Sequence, residues 1–198
     1  MSTRTDEDEH SLEMHLPYIH HTLSQKSGTV PPLIPILVGN TSPQTEKAFG
    51  QLLSTYLADP SNVFVISSDF CHWGSRFGYT YYVPSTAGHV KDGDSLSSSA
   101  KVTDPPISGS IGRVDQAAMD AIESGSHDAF LANLKDTGNT VCGRHPIGVI
   151  MAAIEALKQE GKMKTEQGIF KFVKYARSSE VRNPRDSSVS YASAFAVL

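Results

Sequence analysis

The sequence predicts one α/β domain over residues 1–198, with a mixed, mainly parallel sheet flanked by helices. Three observations carry this expectation. Two short apolar runs, Pro32–Gly39 and Val63–Ser67, bracket a capped amphipathic helix. A strand–helix–strand order of this kind favours a right-handed crossover and a parallel pair. The later half alternates helical periodicity with two period-2 segments near the C-terminus. Such a succession suits one sheet covered by helices.

Each element has a local reason. Residues 1–9 are charged and expected to fray. "HSLEMHLPYIHHTLSQ" places Leu12, Leu16, Ile19 and Leu23 at helical spacing, so Pro17 must stand near a helix start. "PLIPILVG" is apolar and ends in Gly, as a buried strand does. Ser42 caps a helix with Pro43 at its first position, running to about Ala58 on Phe49, Leu52, Leu53, Tyr56 and Leu57. "VFVISS" is nearly continuous in Val, Ile and Phe, the pattern of a strand buried on both faces. The stretch 84–112 is rich in Ser, Gly, Pro and Asp and reads as a mobile polar insertion. "RVDQAAMDAIESG" and "SHDAFLANLKDTG" predict two short helices, the second capped by Ser126 and stopped near Gly138. Pro146 opens a third, with Ile147, Ile150, Met151, Ile154 and Leu157 on its buried side. "GIFKFVKYARS" and "SSVSYASAFAVL" read as the last strands.

Composition narrows the function classes. The net charge is −4 and the pI about 6.0, which argues against a nucleic-acid partner. No apolar run approaches the ~20 residues of a membrane span. The polar, acidic start does not resemble a secretory signal, so the Asn40–Thr41–Ser42 sequon carries little weight. Two cysteines, Cys71 and Cys142, make no disulfide framework. These features place the protein in the cell interior.

Three clusters could carry chemistry. "SSDFCHWG" follows the most apolar strand, and ligands of open α/β sheets gather at strand carboxyl ends. Asp69 and His72 are three apart, close enough for the carboxylate to orient an imidazole that moves a proton. Spacing alone favours a plainer pair, a turn-capping Asp and a polar loop His. In "VCGRHP", Cys142 precedes a helix N-terminus whose dipole favours thiolate, with His145 three residues on and Arg144 offering a fork for an anion. Taken alone, a small packing Cys is the better reading. His10, Glu13, His15, His20 and His21 form a third cluster, but not the zincin pattern, and a polar helix surface suits it better. Cys71 is assigned to packing. No phosphate-binding Gly-rich loop, G-x-S-x-G elbow or CxxC pair is present.

The blocks "DEDEHSLEMHLPY", "YLADPSNVFVISSDFCHWGSRFGYTYY", "NTVCGRHPIGVI" and "RDSSVSYAS" closely resemble the Memo family, mediators of receptor-driven cell motility. The resemblance runs along most of the chain. It implies a fold like that of class III extradiol dioxygenases, with a pocket where those enzymes hold iron. In the family two N-terminal histidines, a Cys and an Asp–His pair line this pocket. The last three match Cys142, Asp69 and His72. In the dioxygenases a His at the place of His72 acts as acid/base, and a Glu stands at the place of Cys142. The resemblance further implies copper or iron binding, an influence on redox state, and a cytoplasmic and nuclear location. It also implies binding of phosphotyrosine segments of a receptor kinase, linking it to cytoskeletal signalling proteins.

The sequence departs from the family pattern in two respects. It begins just ahead of the Glu-His-Ser-Leu-Glu block, without the two N-terminal histidines, so the expectation is an N-terminally incomplete domain. Its 84–112 stretch is longer and more polar. Two functions follow. One is a metal-dependent redox protein using Cys142 and His72 as ligands, with His72 and Asp69 as acid/base groups and His10 or His145 as weaker candidates. Extradiol cleavage itself fits poorly, because the two-His-one-carboxylate triad is not reproduced. The other is a non-catalytic adaptor in which Arg144 or His72 meets a phosphate while Trp73 and Tyr79 pack on the peptide.

Overall fold

A computed structural model describes residues 2–28 and 30–198. The chain forms two compact units, Met1–Asn40 and Thr41–Leu198. In the first, helix α1 (Thr3–Glu7) is followed by a 3-10 turn at Glu13–His15 and helix α2 (Leu16–Ser27). Pro17 sits in the first turn of α2, where its missing N–H costs nothing. Gly28 ends the helix in the left-handed region at φ 69°, donating its N–H to the Ser24 carbonyl. The expected strand at Pro32–Gly39 does not form: the segment joins no ladder, and Leu33, Ile34, Ile36 and Leu37 are exposed. Pro31, Pro32 and Pro35 each lack the N–H a ladder needs.

The second unit opens with α3 (Pro43–Leu57), capped as expected by Ser42, whose hydroxyl accepts from the Thr45 N–H at 3.2 Å. The strands β1 (His72–Trp73), β2 (Tyr81–Tyr82) and β3 (Asp94–Ser95) are short. Helices α4 (Ile107–Glu123), α5 (His127–Thr137) and α6 (Arg144–Gln159) follow, then β4 (Lys171–Arg177) and β5 (Ser188–Phe195). Helix α4 begins six residues ahead of its expected start and so takes in the end of the polar stretch. Ser126 caps α5 and Gly138 closes it at φ 63°. Within the polar stretch, β3 pairs with β2 through Tyr81↔Ser95 and Tyr82↔Asp94.

The fold is mixed α/β, but its sheets are antiparallel, which corrects the expectation of a mainly parallel sheet. The larger sheet has the order β1–β5–β4 and the smaller pairs β2 with β3, all antiparallel. The parallel pair required Pro32–Gly39 and Val63–Ser67 to share a ladder, and neither segment is in one. Val63–Ser67 still alternates in burial. Phe64 and Ile66 pack on Leu57, Ile150 and Ile154, while Val63 and Val65 face outward. That alternation belongs to a strand buried on one face, not two.

Helix α6 is the spine of the core. Every residue from Ile147 to Leu157 is buried except Glu155. Phe70, Ala118, Met119, Ile122, Phe130 and Val141 pack with Ile147 and Met151, while Leu57 packs with Ile150, Ile154 and Leu157. Helix α3 meets α6 through Gly50, where an added Cβ would lie 2.7 Å from the Ala153 nitrogen. Only Gly permits so close an approach. The face of α3 turned inward is therefore Glu46, Gly50, Ser54 and Leu57, and Phe49, Leu52 and Tyr56 are exposed. Of the expected apolar stripe, only Leu57 is fully buried, and Leu53 is half-buried.

Candidate thiol–imidazole site

Two chain segments far apart in sequence, 68–73 and 139–144, are laced together. The first follows the Val63–Ser67 run and joins the sheet as β1. The Phe70 N–H donates to the Ser190 carbonyl at 2.8 Å, the Ser190 N–H to the Cys71 carbonyl at 2.9 Å, and His72 pairs with Val189. The second segment is the turn between α5 and α6. Its Thr140 hydroxyl accepts from the His72 N–H at 2.7 Å. The Cys142 N–H donates to the Asp69 carbonyl at 3.1 Å, and the Gly143 N–H to the Ser68 hydroxyl at 2.9 Å. Gly143 fits here because an added Cβ would overlap the Ser67 carbonyl.

Asp115 secures both segments from beneath. It is fully buried on α4 and accepts from the Cys71 N–H at 3.1 Å, the Asn139 side-chain amide at 3.2 Å and the Tyr175 hydroxyl at 2.7 Å. Burial pushes its carboxyl pKa above the usual carboxylate value, against the hydrogen bonds from Ser190, Tyr175, Asn139 and Cys71. The sequence signal for Asp115 was present though unread: one acidic residue on the apolar face of α4, among Ile111, Val114, Ala118 and Met119.

The structure brings Asp69 and His72 together. His72 Nδ1 lies 3.0 Å from the Phe70 carbonyl and 3.3 Å from that of Thr140, so Nδ1 is assigned as the protonated nitrogen. Nε2 is left as an acceptor, 3.7 Å from Asp69 Oδ2. That separation is too long for a hydrogen bond, and the two groups form an ion pair only when the ring is protonated. Phe77 stands edge-on to the imidazole with centroids 5.2 Å apart, and the Arg76 guanidinium lies over Phe77 at 4.5 Å.

Cys142 reaches the surface one residue before Gly143, the N-cap of α6. Partial burial of the sulfur and the nearby Asp69 carboxylate raise the thiol pKa, with Arg144 opposing them. The expected thiolate is thus not what the environment favours, because a carboxylate and desolvation act against the helix end. Cys71 is buried, as its packing role requires, and desolvation pushes its thiol upward.

Other expected residues lie elsewhere. Trp73 is wholly buried, its indole N–H donating to the Tyr81 carbonyl at 2.8 Å. Tyr79 is also buried, its hydroxyl donating to the Thr137 carbonyl at 2.9 Å. Both therefore face the core, which corrects the expectation that they pack on a bound peptide. Arg144 is exposed beside Cys142. The His145 ring is held away from the thiol loop, with Nδ1 2.7 Å from Glu46 Oε1 and 3.0 Å from the Thr41 hydroxyl. Glu46, also buried, meets His127 through its other oxygen at 2.7 Å. His10 belongs to the Met1–Asn40 unit and is exposed.

His72 Nε2, Asp69 and Cys142 are donor types suited to a transition metal. Among the described residues, however, no group of three or more His, Cys, Asp or Glu side chains is arranged to hold one. A protein metal site ordinarily presents three or more ligands. The described residues therefore do not make a complete metal centre.

Comparison of the sequence with known proteins points to one family. Residues 1–195 match the family model described as Memo-like protein. Protein MEMO1 of Homo sapiens is 46% identical over 192 residues, covering 97% of this chain and 57% of that protein. Protein MEMO1 of Xenopus tropicalis is 44% identical over 198 residues, covering 100% of this chain and 59% of its relative. A MEMO1 family protein of Schizosaccharomyces pombe is 43% identical over 198 residues, covering 99% and 62%. The chain thus spans less than two thirds of the length of the relatives it matches. It belongs to the Memo family.

Proposed function

We propose that the protein serves a redox-linked role in cell-motility signalling through the Cys142–His72–Asp69 site. The observation that supports this is the lacing of 68–73 to 139–144, which brings the Asp69 carboxylate near a surface thiol, with His72 on the same laced segment. His72 is the acid/base group, its Nδ1–H fixed on backbone carbonyls and its Nε2 available to take a proton. Asp69 lies 3.7 Å from that Nε2, an ion pair only once the ring is protonated, and restrains ionisation of the thiol. A dioxygenase-like fold, copper or iron as the bound metal, and a cytoplasmic and nuclear location belong to the same reading on the strength of the family resemblance. A metal held by Cys142 and His72 needs at least one donor beyond those gathered here. Titration with copper(I) and with iron(II) tests the reading. Cys142→Ser and His72→Ala are each expected to weaken binding by about tenfold or more. Equal affinity in all three proteins overturns it.

A second reading is favoured by the exposure of Arg144 at the N-terminus of α6. Here the same face is an adaptor surface for phosphotyrosine segments of a receptor kinase, with the guanidinium meeting the phosphate. Binding of a phosphotyrosine peptide that persists after metal removal and is lost in Arg144→Ala supports it. Equal binding of the unphosphorylated peptide contradicts it.

A further inference from the structure

The Glu46 carboxylate is buried where α3 meets side chains of α5 and α6, and three donors converge on it. The Thr41 hydroxyl donates to Oε1 at 3.1 Å, His145 Nδ1 stands 2.7 Å from the same oxygen, and His127 Nε2 stands 2.7 Å from Oε2. Helix α6 comes this near because residue 148 is Gly, where an added Cβ would overlap the carboxylate. His145 is the member that reaches outward, and contacts on two sides agree on its tautomer. On the inner side, Nδ1 faces the Glu46 oxygen and, at 3.0 Å, the Thr41 hydroxyl, whose own proton is directed at Glu46. Both are acceptors, so the hydrogen is assigned to Nδ1. On the outer side, Nε2 lies 3.3 Å from Arg144 Nε, a group that only donates, so Nε2 presents its lone pair.

The Arg144 guanidinium is thus held through Nε. Among the described residues no hydrogen bond or ion pair engages its two terminal nitrogens, the fork that meets a phosphate. We propose that Glu46 and His145 are positioning residues for Arg144, presenting its fork at the start of α6 to a phosphate-bearing ligand. The ligand half of this inference rests on the adaptor reading above; the positioning half rests on the hydrogen bonds alone. An exposed arginine loses rotamer freedom when it binds an anion, and one held in place beforehand loses less. The buried carboxylate acts two side chains away from the ligand, by fixing which nitrogen of His145 is free to accept.

Two measurements on the full chain test it. Nitrogen-15 NMR reads the His145 ring and the Arg144 Nε–H without any ligand. The expected result is a hydrogen on Nδ1 and a bare Nε2. Glu46→Gln, of the same shape, is expected to shift the ring signals. In His145→Asn, exchange of the Arg144 Nε–H is expected to quicken by about threefold or more, with both proteins compared well below their melts. Asn sets an amide donor where Nδ1 stood and nothing where Nε2 stood, so the contact with Glu46 survives and the hold on Arg144 does not. The second measurement is titration with phenyl phosphate. Arg144→Ala is expected to abolish binding and His145→Asn to weaken it by about three- to tenfold. A hydrogen on His145 Nε2, or Arg144 Nε–H exchange unchanged in His145→Asn, overturns the proposal. So does equal phenyl phosphate affinity in wild type and His145→Asn. A wild type that takes up no phenyl phosphate removes the adaptor reading and the ligand half with it, while the NMR results still decide the positioning half.

Discussion

At the scale of single residues, buried polar groups position the site. Asp115 receives donors from Cys71, Asn139 and Tyr175, which reach it from both laced segments and from β4. Asp115→Ala leaves the Cys71 N–H and the Asn139 amide buried without this partner, at roughly 1–3 kcal/mol each, while Tyr175 keeps the Ser190 hydroxyl. A loss of about 3 kcal/mol or more in a denaturant melt is expected. Asp115→Asn addresses its titration. Its folded carboxyl pKa is raised by burial, so its stabilising contribution is complete below the unfolded value and declines as pH rises through the folded one. The melting temperature of Asp115→Asn relative to wild type is therefore expected to increase as pH rises from about 4. A constant difference across that range contradicts this. The same scale shows what residue patterns reveal. The spacing of Asp69 and His72 suggested their contact, whereas the lacing of the Cys142 loop to their segment came only with the family resemblance, because 70 positions separate Cys142 from His72 and no local pattern reports a pairing that distant.

Elements were legible where their signals are local. Ser42, Pro43, Ser126 and Gly138 mark helix ends by their own chemistry, and α3 and α5 begin and end where those residues say. Strands were less legible, since a strand exists only with a partner. Val63–Ser67 has the sequence and the alternating burial of one and still joins no ladder. The faces of α3 were misread for a related reason. Apolar periodicity shows which side of a helix seeks cover, not which side finds it within the chain. Gly50→Ala, small as it is, is expected to cost several times more stability than Leu52→Lys, because the new methyl meets the Ala153 backbone while Leu52 is exposed. Comparable losses in paired thermal melts contradict that assignment. For the polar stretch 84–112, mobility stands as a proposal for the part preceding α4. Amide exchange there is expected to be faster than in α4 itself, and equal protection contradicts it.

At the scale of the whole molecule, a helix-rich core built on α6 supports a site formed where 68–73 meets 139–144. No helix among the described residues is long and apolar enough to cross a membrane. The central claim is that the Asp69 carboxylate and the Cys142 thiol are neighbours. The pH dependence of Cys142 alkylation reads this most directly, because Cys71, the other cysteine, is wholly buried. In wild type the rate rises with pH toward a midpoint above that of an ordinary thiol. Removing the charge in Asp69→Asn lowers that midpoint and speeds the reaction near neutral pH. Superimposable profiles for the two proteins would contradict the account.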